Sequence, residues 1–301
     1  MTEWLVSIEG TAEGARVALV LALVSAVAHA CFGALQKGRH DPWVTRGSID
    51  IWIAVFAAPV ALVLVPWPRG DEWLILAGCL VIHFAYKLAM ALAYERAAFT
   101  VVYPVVRGTG PLATLAFAAL FLGERYGALQ WLGVGVLSAS ILALAAVNLR
   151  GQVVGRAALR VGLGWALLGG LLVAVYTTYD AWGIRSVPDP FTFLAWFFLI
   201  TALDFPLLVA VRRWRGIGGA LPALGPLIWR GMAGGLIAFV SFGGVMLATR
   251  IGKVGEVAAL RETSTLFAAL IGWAMLGERV GPLRAVLMAG VAAGAVMVQA
   301  G

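Results

Sequence analysis

Residues 107–125 read RGTGPLATLAFAALFLGER, and residues 261–279 read RETSTLFAALIGWAMLGER. Both stretches begin on arginine and end on Leu-Gly-Glu-Arg, and they align without a gap at an offset of 154, so Arg107 falls on Arg261, Thr109 on Thr263 and Leu112 on Leu266. Further back the offset is 147–148: Asp41-Pro42 matches Asp189-Pro190, Lys37 matches Arg185, and Pro59 and Trp67 match Pro206 and Trp214. Long-range self-similarity of this kind means one structural plan used twice. Each quoted stretch is mostly apolar over its 19 residues, close to the roughly 20 that one helical membrane crossing needs.

Composition agrees with membrane residence. Of 301 residues 62% are apolar and 12% charged, and the mean hydropathy is +0.94. A water-facing domain carries about 25% charged residues, so a soluble globular protein is excluded. Apolar runs bounded by charge, Pro and Gly place spans near 16–36, 48–66, 73–94, 99–121, 127–148, 161–183, 191–211, 227–248, 255–276 and 281–299. Runs of this length read as helices, because lipid leaves a backbone only helices or closed barrels. The fold expected is an all-α polytopic membrane protein of ten helices: a first five-helix repeat at 1–148, a connector at 149–160, and a second repeat at 161–301. Five is odd, so the second copy enters the membrane from the opposite side. That is the inverted repeat with which transporters alternate access around a midplane site.

Arg16 followed by Val17–Val27 and Ala28-His29-Ala30 has a signal-peptide outline. The apolar run continues through Phe32–Leu35, Glu3, Glu9 and Glu13 precede it, and the segment has a counterpart in the second half, so it is expected to stay as span one. Cys31 and Cys79 form neither a C-x-x-C pair nor a disulfide framework. The net charge of +7 comes from basic residues at span ends, where they meet lipid headgroups, so it does not imply a nucleic-acid partner. The loops joining spans one–two, three–four, five–six, seven–eight and nine–ten carry most Lys and Arg; the positive-inside rule puts them in the cytoplasm and both termini outside.

An ionisable group deep in a span costs about 2.5–3.5 kcal/mol on insertion scales and is a functional candidate by default. Lys87, Arg107 and Arg261 qualify, as do Asp180, Asp204 and Glu262, with His29 and His83 near mid-span. Three positive and three negative charges sum to zero, which leaves each open to two roles, ligand contact or structural ion pairing. The repeat sets Arg107 and Arg261 on the two sides of the midplane, and guanidinium grips carboxylate or phosphate with paired hydrogen bonds. Pro104, Gly108, Gly110 and Pro111 are expected to weaken the helix around Arg107 and free amides for an anion. His83 and Lys87 are one turn apart with Tyr86 beside them, and Tyr176, Tyr179 and Asp180 form a polar cluster in span six. Glu262 points about 100° from Arg261 and does not simply neutralise it. Glu124 and Glu278 oppose the dipole of the helices they end, so each is expected to pair with a basic neighbour or cap other amides.

The Leu-Gly-Glu-Arg pair, the two halves of five spans, the run Tyr103-Pro104-Val105-Val106-Arg107-Gly108-Thr109-Gly110-Pro111, His29-Ala30 with Lys37, and Arg261-Glu262-Thr263-Ser264 together resemble the EamA type of the drug/metabolite transporter superfamily. The resemblance implies a multi-pass secondary carrier of the bacterial inner membrane. It implies a central cavity lined mainly by spans one, three, four, six, eight and nine, with five and ten to one side. The substrate-binding set expected is His83, Tyr86, Lys87, Tyr103, Arg107, Tyr176, Tyr179, Asp180, Arg261 and Glu262. Its ligand would be a small polar metabolite with an anionic group, such as an amino acid, organic acid or phosphorylated compound, moved with protons or by exchange. Span ten carries Gly290-x-x-x-Gly294, which permits either a homodimer or close packing within one bundle. No H-E-x-x-H, G-x-S-x-G or aspartate-rich diphosphate motif is present, so the alternative, an intramembrane enzyme on a lipid or isoprenoid, has no visible apparatus, and no metal or cofactor is expected. A passive channel lacks a ring-forming pore motif.

Overall fold

The computed structural model describes residues 2–35, 41–149, 156–219, 221–276 and 281–301, without the side chains of 34, 99, 100, 148, 156 and 271–276. All regular structure in the described residues is helical. A short α1 (Thr2–Ser7) precedes α2 (Ala12–Leu35), α3 (Pro42–Pro59, continued as a π-helical turn over Val60–Leu64), α4 (Glu72–Arg96), α5 (Phe99–Phe121) and α6 (Ala128–Leu149). The second half contains α7 (Arg156–Ser186), α8 (Pro190–Thr201), α9 (Asp204–Trp214), α10 (Leu224–Ala238, then a π-helical turn Phe239–Gly243), α11 (Gly244–Ile251), α12 (Val254–Arg261), α13 (Ser264–Leu276) and α14 (Pro282–Ala300). Nine stretches of the described residues are long and apolar enough to cross a membrane. The ninth span expected from sequence is the pair α12 and α13, divided at Glu262–Thr263. The outward surface is apolar, with Val63, Leu64, Leu120 and Val296 exposed, as lipid contact requires.

Local chemistry sets the helix starts alike in both halves. Asp41 accepts from the amides of Trp43 and Val44, and Asp189 from those of Phe191 and Thr192, each with Pro at the first helical position. The proline matched between the halves, Pro59 and Pro206, disturbs the same helix in each. After Pro59 the chain runs into a π-helical turn, and before Pro206 the helix stops at Ala202–Leu203.

Packing is exchanged between the halves. The α5–α7 contact has its counterpart in α2 against α12 and α13, and the α4–α7 contact in α2 against α10, α11 and the π-helical turn between them. The last span of each half, α6 and α14, pack against one another. There a Cβ on Gly133 would lie 2.8 Å from the carbonyl oxygen of Gly294, and a Cβ on Gly290 would strike Ser140. Gly290 and Gly294 thus pack against α6 of the same chain, the close packing within one bundle that these glycines permit.

Candidate functional site

The site grows out of the broken seventh span. Pro206 has no amide to offer, so the chain leaves helical geometry after Thr201 and begins α9 on Asp204. The ammonium of Lys87 fills the break: it donates to the Thr201 carbonyl at 2.5 Å, to Asp50 Oδ2 at 3.0 Å and to Asp204 Oδ1. A cation at the C-terminal end of α8 and a carboxylate in the first turn of α9 both suit the helix dipoles. Arg46, one turn before Asp50 on α3, lies 2.7 Å from Asp50 Oδ1. Lys87 therefore spends all three of its donors within the protein and ties α3, α4, α8 and α9 together.

Arg107 and Glu262 form a second pair, at 2.9 Å and almost wholly buried. It joins α5 of the first half to the end of α12 in the second. Arg107 also lies over the Tyr103 ring, 5.2 Å from its centroid. The helix weakness expected around Arg107 is not there, since α5 runs unbroken through Pro104 and Pro111. The interruption sits at the matched position, Glu262–Thr263, where amides reach back only three residues: Glu262 to Ala259 and Thr263 to Leu260. The Thr263 and Thr265 hydroxyls donate to the carbonyls of Leu260 and Glu262. Four consecutive short polar or acidic side chains, Glu262-Thr263-Ser264-Thr265, compete with the helix for its own backbone groups.

His83 and Asp180 make a third pair, Nε2 to Oδ2 at 2.7 Å, with both side chains buried. Tyr176 lies against the imidazole at 4.6 Å between ring centroids and against Tyr86 at 5.1 Å. Asp180 Oδ1 has no hydrogen-bond partner.

After these pairings one buried cation stands apart. Arg261 is 3% exposed and forms no ion pair among the described residues. Its guanidinium lies 4.9 Å from the centre of the Phe242 ring, and its Nε has no hydrogen-bond partner. It faces an inner chamber of about 70 Å³ lined also by His29, Asp50, His83, Tyr86, Ser241 and Phe242. That chamber shares His29, Phe32, Arg46, Tyr86 and Lys87 with a larger cavity of about 400 Å³ that includes Tyr103 and Arg107. Pro42, Thr45, Ala97 and Ala98 line the larger cavity, so it reaches the end of the bundle where spans one–two and three–four are joined. Its volume suits a small metabolite. His29 Nδ1 lies 3.3 Å from Ser241 Oγ, on the π-helical turn in the middle of span eight, a distortion often found at functional sites.

The substrate-binding set expected from sequence divides accordingly. Tyr86, Tyr103, Arg107, His83 and Arg261 line one or both of the adjoining chambers, with Lys87 present but fully engaged. Tyr176, Asp180 and Glu262 stand behind the lining and hold residues that form it. Tyr179 lies away from both chambers, packed on Trp182 and filling the space above Gly78. Spans two and seven line the inner chamber through Asp50, Ile53, Phe197 and Thr201, whereas span six, expected in the lining, contributes from the second layer. Asp50 and Arg46 escaped the sequence reading, although two opposite charges one helical turn apart at the head of an apolar run are a visible sign. Lys37, Arg39, Glu278 and Arg279, used for orientation and for the repeat, lie outside the described residues.

The opposite end of the bundle is held shut. Glu124 accepts from the Val254 amide at 2.9 Å, capping α12, and pairs with Arg185 at 2.9 Å. The glutamate ending the first quoted stretch thus does both jobs foreseen for it, across the two halves. Arg185 also donates to the carbonyls of Thr249 and Gly252. Arg250 pairs with Glu9 and donates to Ile184, and Leu5 and Ile8 sink into the cluster around Val245 and Leu260. Burial raises the Tyr126 phenol above its ordinary range, and its hydrogen bond to Glu124 raises it further. Burial works to raise the Asp189 carboxyl, but hydrogen bonds from Thr192, Thr2 and two amides outweigh it and hold the group below the usual carboxylate range.

Comparisons with known proteins agree with this architecture. A crystal structure of a protein described no further superposes with a TM-score of 0.73, covering 95% of this chain and 96% of that one at 18% identity. That likeness speaks to the fold alone. A search of curated proteins finds no match. Residues 160–299 match the EamA-like transporter family, so the second half of this multi-pass membrane protein is similar to an EamA-like transporter domain.

Proposed function

We propose that the chain is a secondary carrier of the bacterial inner membrane that moves a small polar metabolite with an anionic group by alternating access between its halves, 1–148 and 161–301. One observation carries this reading: Arg261 is a buried guanidinium without a carboxylate partner among the described residues, facing a chamber that shares His29, Phe32, Arg46, Tyr86 and Lys87 with a cavity that reaches one end of the bundle. A buried unpaired cation is expensive, and an anionic substrate is what it lacks. The cavity opens on the side richer in Lys and Arg, the cytoplasmic side by the positive-inside rule, so the conformation is inward-facing. Arg107 at the wide cavity offers a first electrostatic contact on the way in, and Tyr86 and Tyr103 supply ring faces and hydroxyls along it.

The test is uptake of a defined mixture of amino acids, hydroxy acids and sugar phosphates into proteoliposomes, read by mass spectrometry. The wild type accumulates or exchanges at least one anionic component with saturable kinetics, and Arg261→Ala loses that flux while eluting as a monodisperse, folded protein. Full flux in Arg261→Ala would refute the anion site.

A further inference from the structure

We propose that His83 and Asp180 form a proton-binding site that takes up one proton for each negative charge delivered to Arg261, which makes the protein a proton–anion symporter. The inference rests on the carrier reading above and adds its coupling ion.

The argument is a charge balance. Among the described residues the cations of this region are Arg46, Lys87, Arg107 and Arg261, and the anions are Asp50, Asp180, Asp204 and Glu262. Three couples close on themselves: Arg46 with Asp50, Lys87 with Asp204 and Asp50, and Arg107 with Glu262. The remaining charges are Arg261 and Asp180, one of each sign. They share an environment through Phe242, whose ring lies 4.9 Å from the Arg261 guanidinium and 5.9 Å, between centroids, from the His83 imidazole. While the site is empty the two balance over that short range. When an anion occupies Arg261, the Asp180 carboxylate is left without a counter-charge in a low-dielectric interior, and one proton restores neutrality.

The structure offers that proton one natural seat. A carboxylate only accepts hydrogen bonds, so neutral His83 must carry its hydrogen on Nε2, which faces Asp180 Oδ2 at 2.7 Å. Its Nδ1 is then the free base. A proton delivered by water from the chamber forms an N–H bond at Nδ1, hydronium becomes water, and the resulting imidazolium still donates to Asp180. No other bond changes. The titratable and charged groups around His83 are Asp180 and Tyr176 on α7, which touch it, and those that line the chamber with it: Tyr86 and Lys87 on its own α4, Arg46 and Asp50 on α3, His29 on α2 and Arg261 at the end of α12. Arg46, Lys87 and Asp50 are paired as above, which leaves Asp180 and Arg261. His83 lines the chamber itself, so water reaches it from the side where the cavity opens.

A monoanion and one proton travel together without net charge, so a pH gradient drives the flux and a membrane potential does not. The experiment uses full-length protein in liposomes with the same defined mixture of amino acids, hydroxy acids and sugar phosphates. With the lumen one pH unit more alkaline, the transported monoanion accumulates about tenfold over its level without a gradient, and a valinomycin-set potassium potential leaves it unchanged. In His83→Gln and Asp180→Asn the enhancement by the gradient falls to about one, even where slow exchange persists. Saturable wild-type flux with no gradient enhancement, or an enhancement that survives in both variants, overturns the proton site and leaves the carrier standing. No saturable flux of any component overturns the carrier reading and the proton site with it.

Discussion

The Arg107–Glu262 pair is the sharpest place to test how the halves are held together, because among the described residues it is the ion pair that joins span four to the break in span nine. At 2.9 Å with an effective dielectric of about 20 its gross Coulomb attraction is about 6 kcal/mol, most of it offset by the desolvation of both ions. Removing one partner leaves the other buried and unpaired, for which about 3–5 kcal/mol is usual. Glu262→Ala should fall near the lower end, about 3 kcal/mol, because the abandoned Arg107 lines the wide cavity and can draw water toward it. Arg107→Met should cost about 4 kcal/mol, since Glu262 stands behind the lining with Oε2 already lacking a partner. The double variant Arg107→Met/Glu262→Ala removes both charges and should lose less than the sum of the singles by about 2 kcal/mol or more. An ordinary interhelical hydrogen bond in a membrane protein couples by only about 0.6 kcal/mol, so the size of the coupling separates an ion pair from a polar contact. Denaturant-driven unfolding in mixed micelles, followed by tryptophan emission, measures all four proteins. Additive losses within about 0.5 kcal/mol would mean that each ion finds another partner in the native state, and the reasoning would be wrong.

Further outcomes follow from the same contacts. Gly133→Leu places a side chain where the Gly294 carbonyl lies and should destabilise by at least the 1–3 kcal/mol typical of overpacking, seen as a lowered melting temperature, while Gly135→Leu, with open space at its Cβ, should change it little. Lys87→Met strips the Thr201 carbonyl, Asp50 and Asp204 of a shared donor and should cost about 3–5 kcal/mol; adding Asp204→Asn should recover part of that loss in the same unfolding assay. Tyr126 keeps its proton in the folded protein beyond the pH at which a free phenol loses it, so its contribution is present below about pH 10 and declines as the pH rises toward the folded value. Thermal melts from pH 8 to 11 should show that decline in the wild type and a flatter curve in Tyr126→Phe.

What could be read from the chain and what could not divide along a physical line. Span number, helical class and the charged residues of interest were legible because each is a local contrast: twenty apolar residues stand out from their boundaries, and a lone Lys87 or Arg261 stands out from its apolar run. The ions' partners were not, since Arg107 meets Glu262 and His83 meets Asp180 across the two halves, and no local rule fixes which charge faces which. Asp50 was missed because it sits one turn inside a span whose head also holds Arg46, where charge is ordinary. The helix break was expected around Pro104 and Pro111, yet α5 runs unbroken through both, and membrane helices do tolerate proline. Where the second copy lacks both prolines, it carries Glu262-Thr263-Ser264-Thr265, and there the backbone gives way.

That difference between matched segments bears on how the protein works. A duplicated fold with identical halves would balance its charges within each copy, and nothing electrostatic would bind one half to the other. Here the copies have diverged so that each supplies what its twin lacks: the first half keeps the cation Arg107 and receives the acid Glu262, and it keeps His83 on α4 where the second half has Ile237, while the second supplies Asp180. In the carrier proposed above, rocking of one half against the other stretches or exchanges these cross-pairs, so the ions that border the chambers set the conformational equilibrium. In that reading an anion arriving at Arg261 enters a network already near neutrality, and it changes the charge on which both cross-pairs depend.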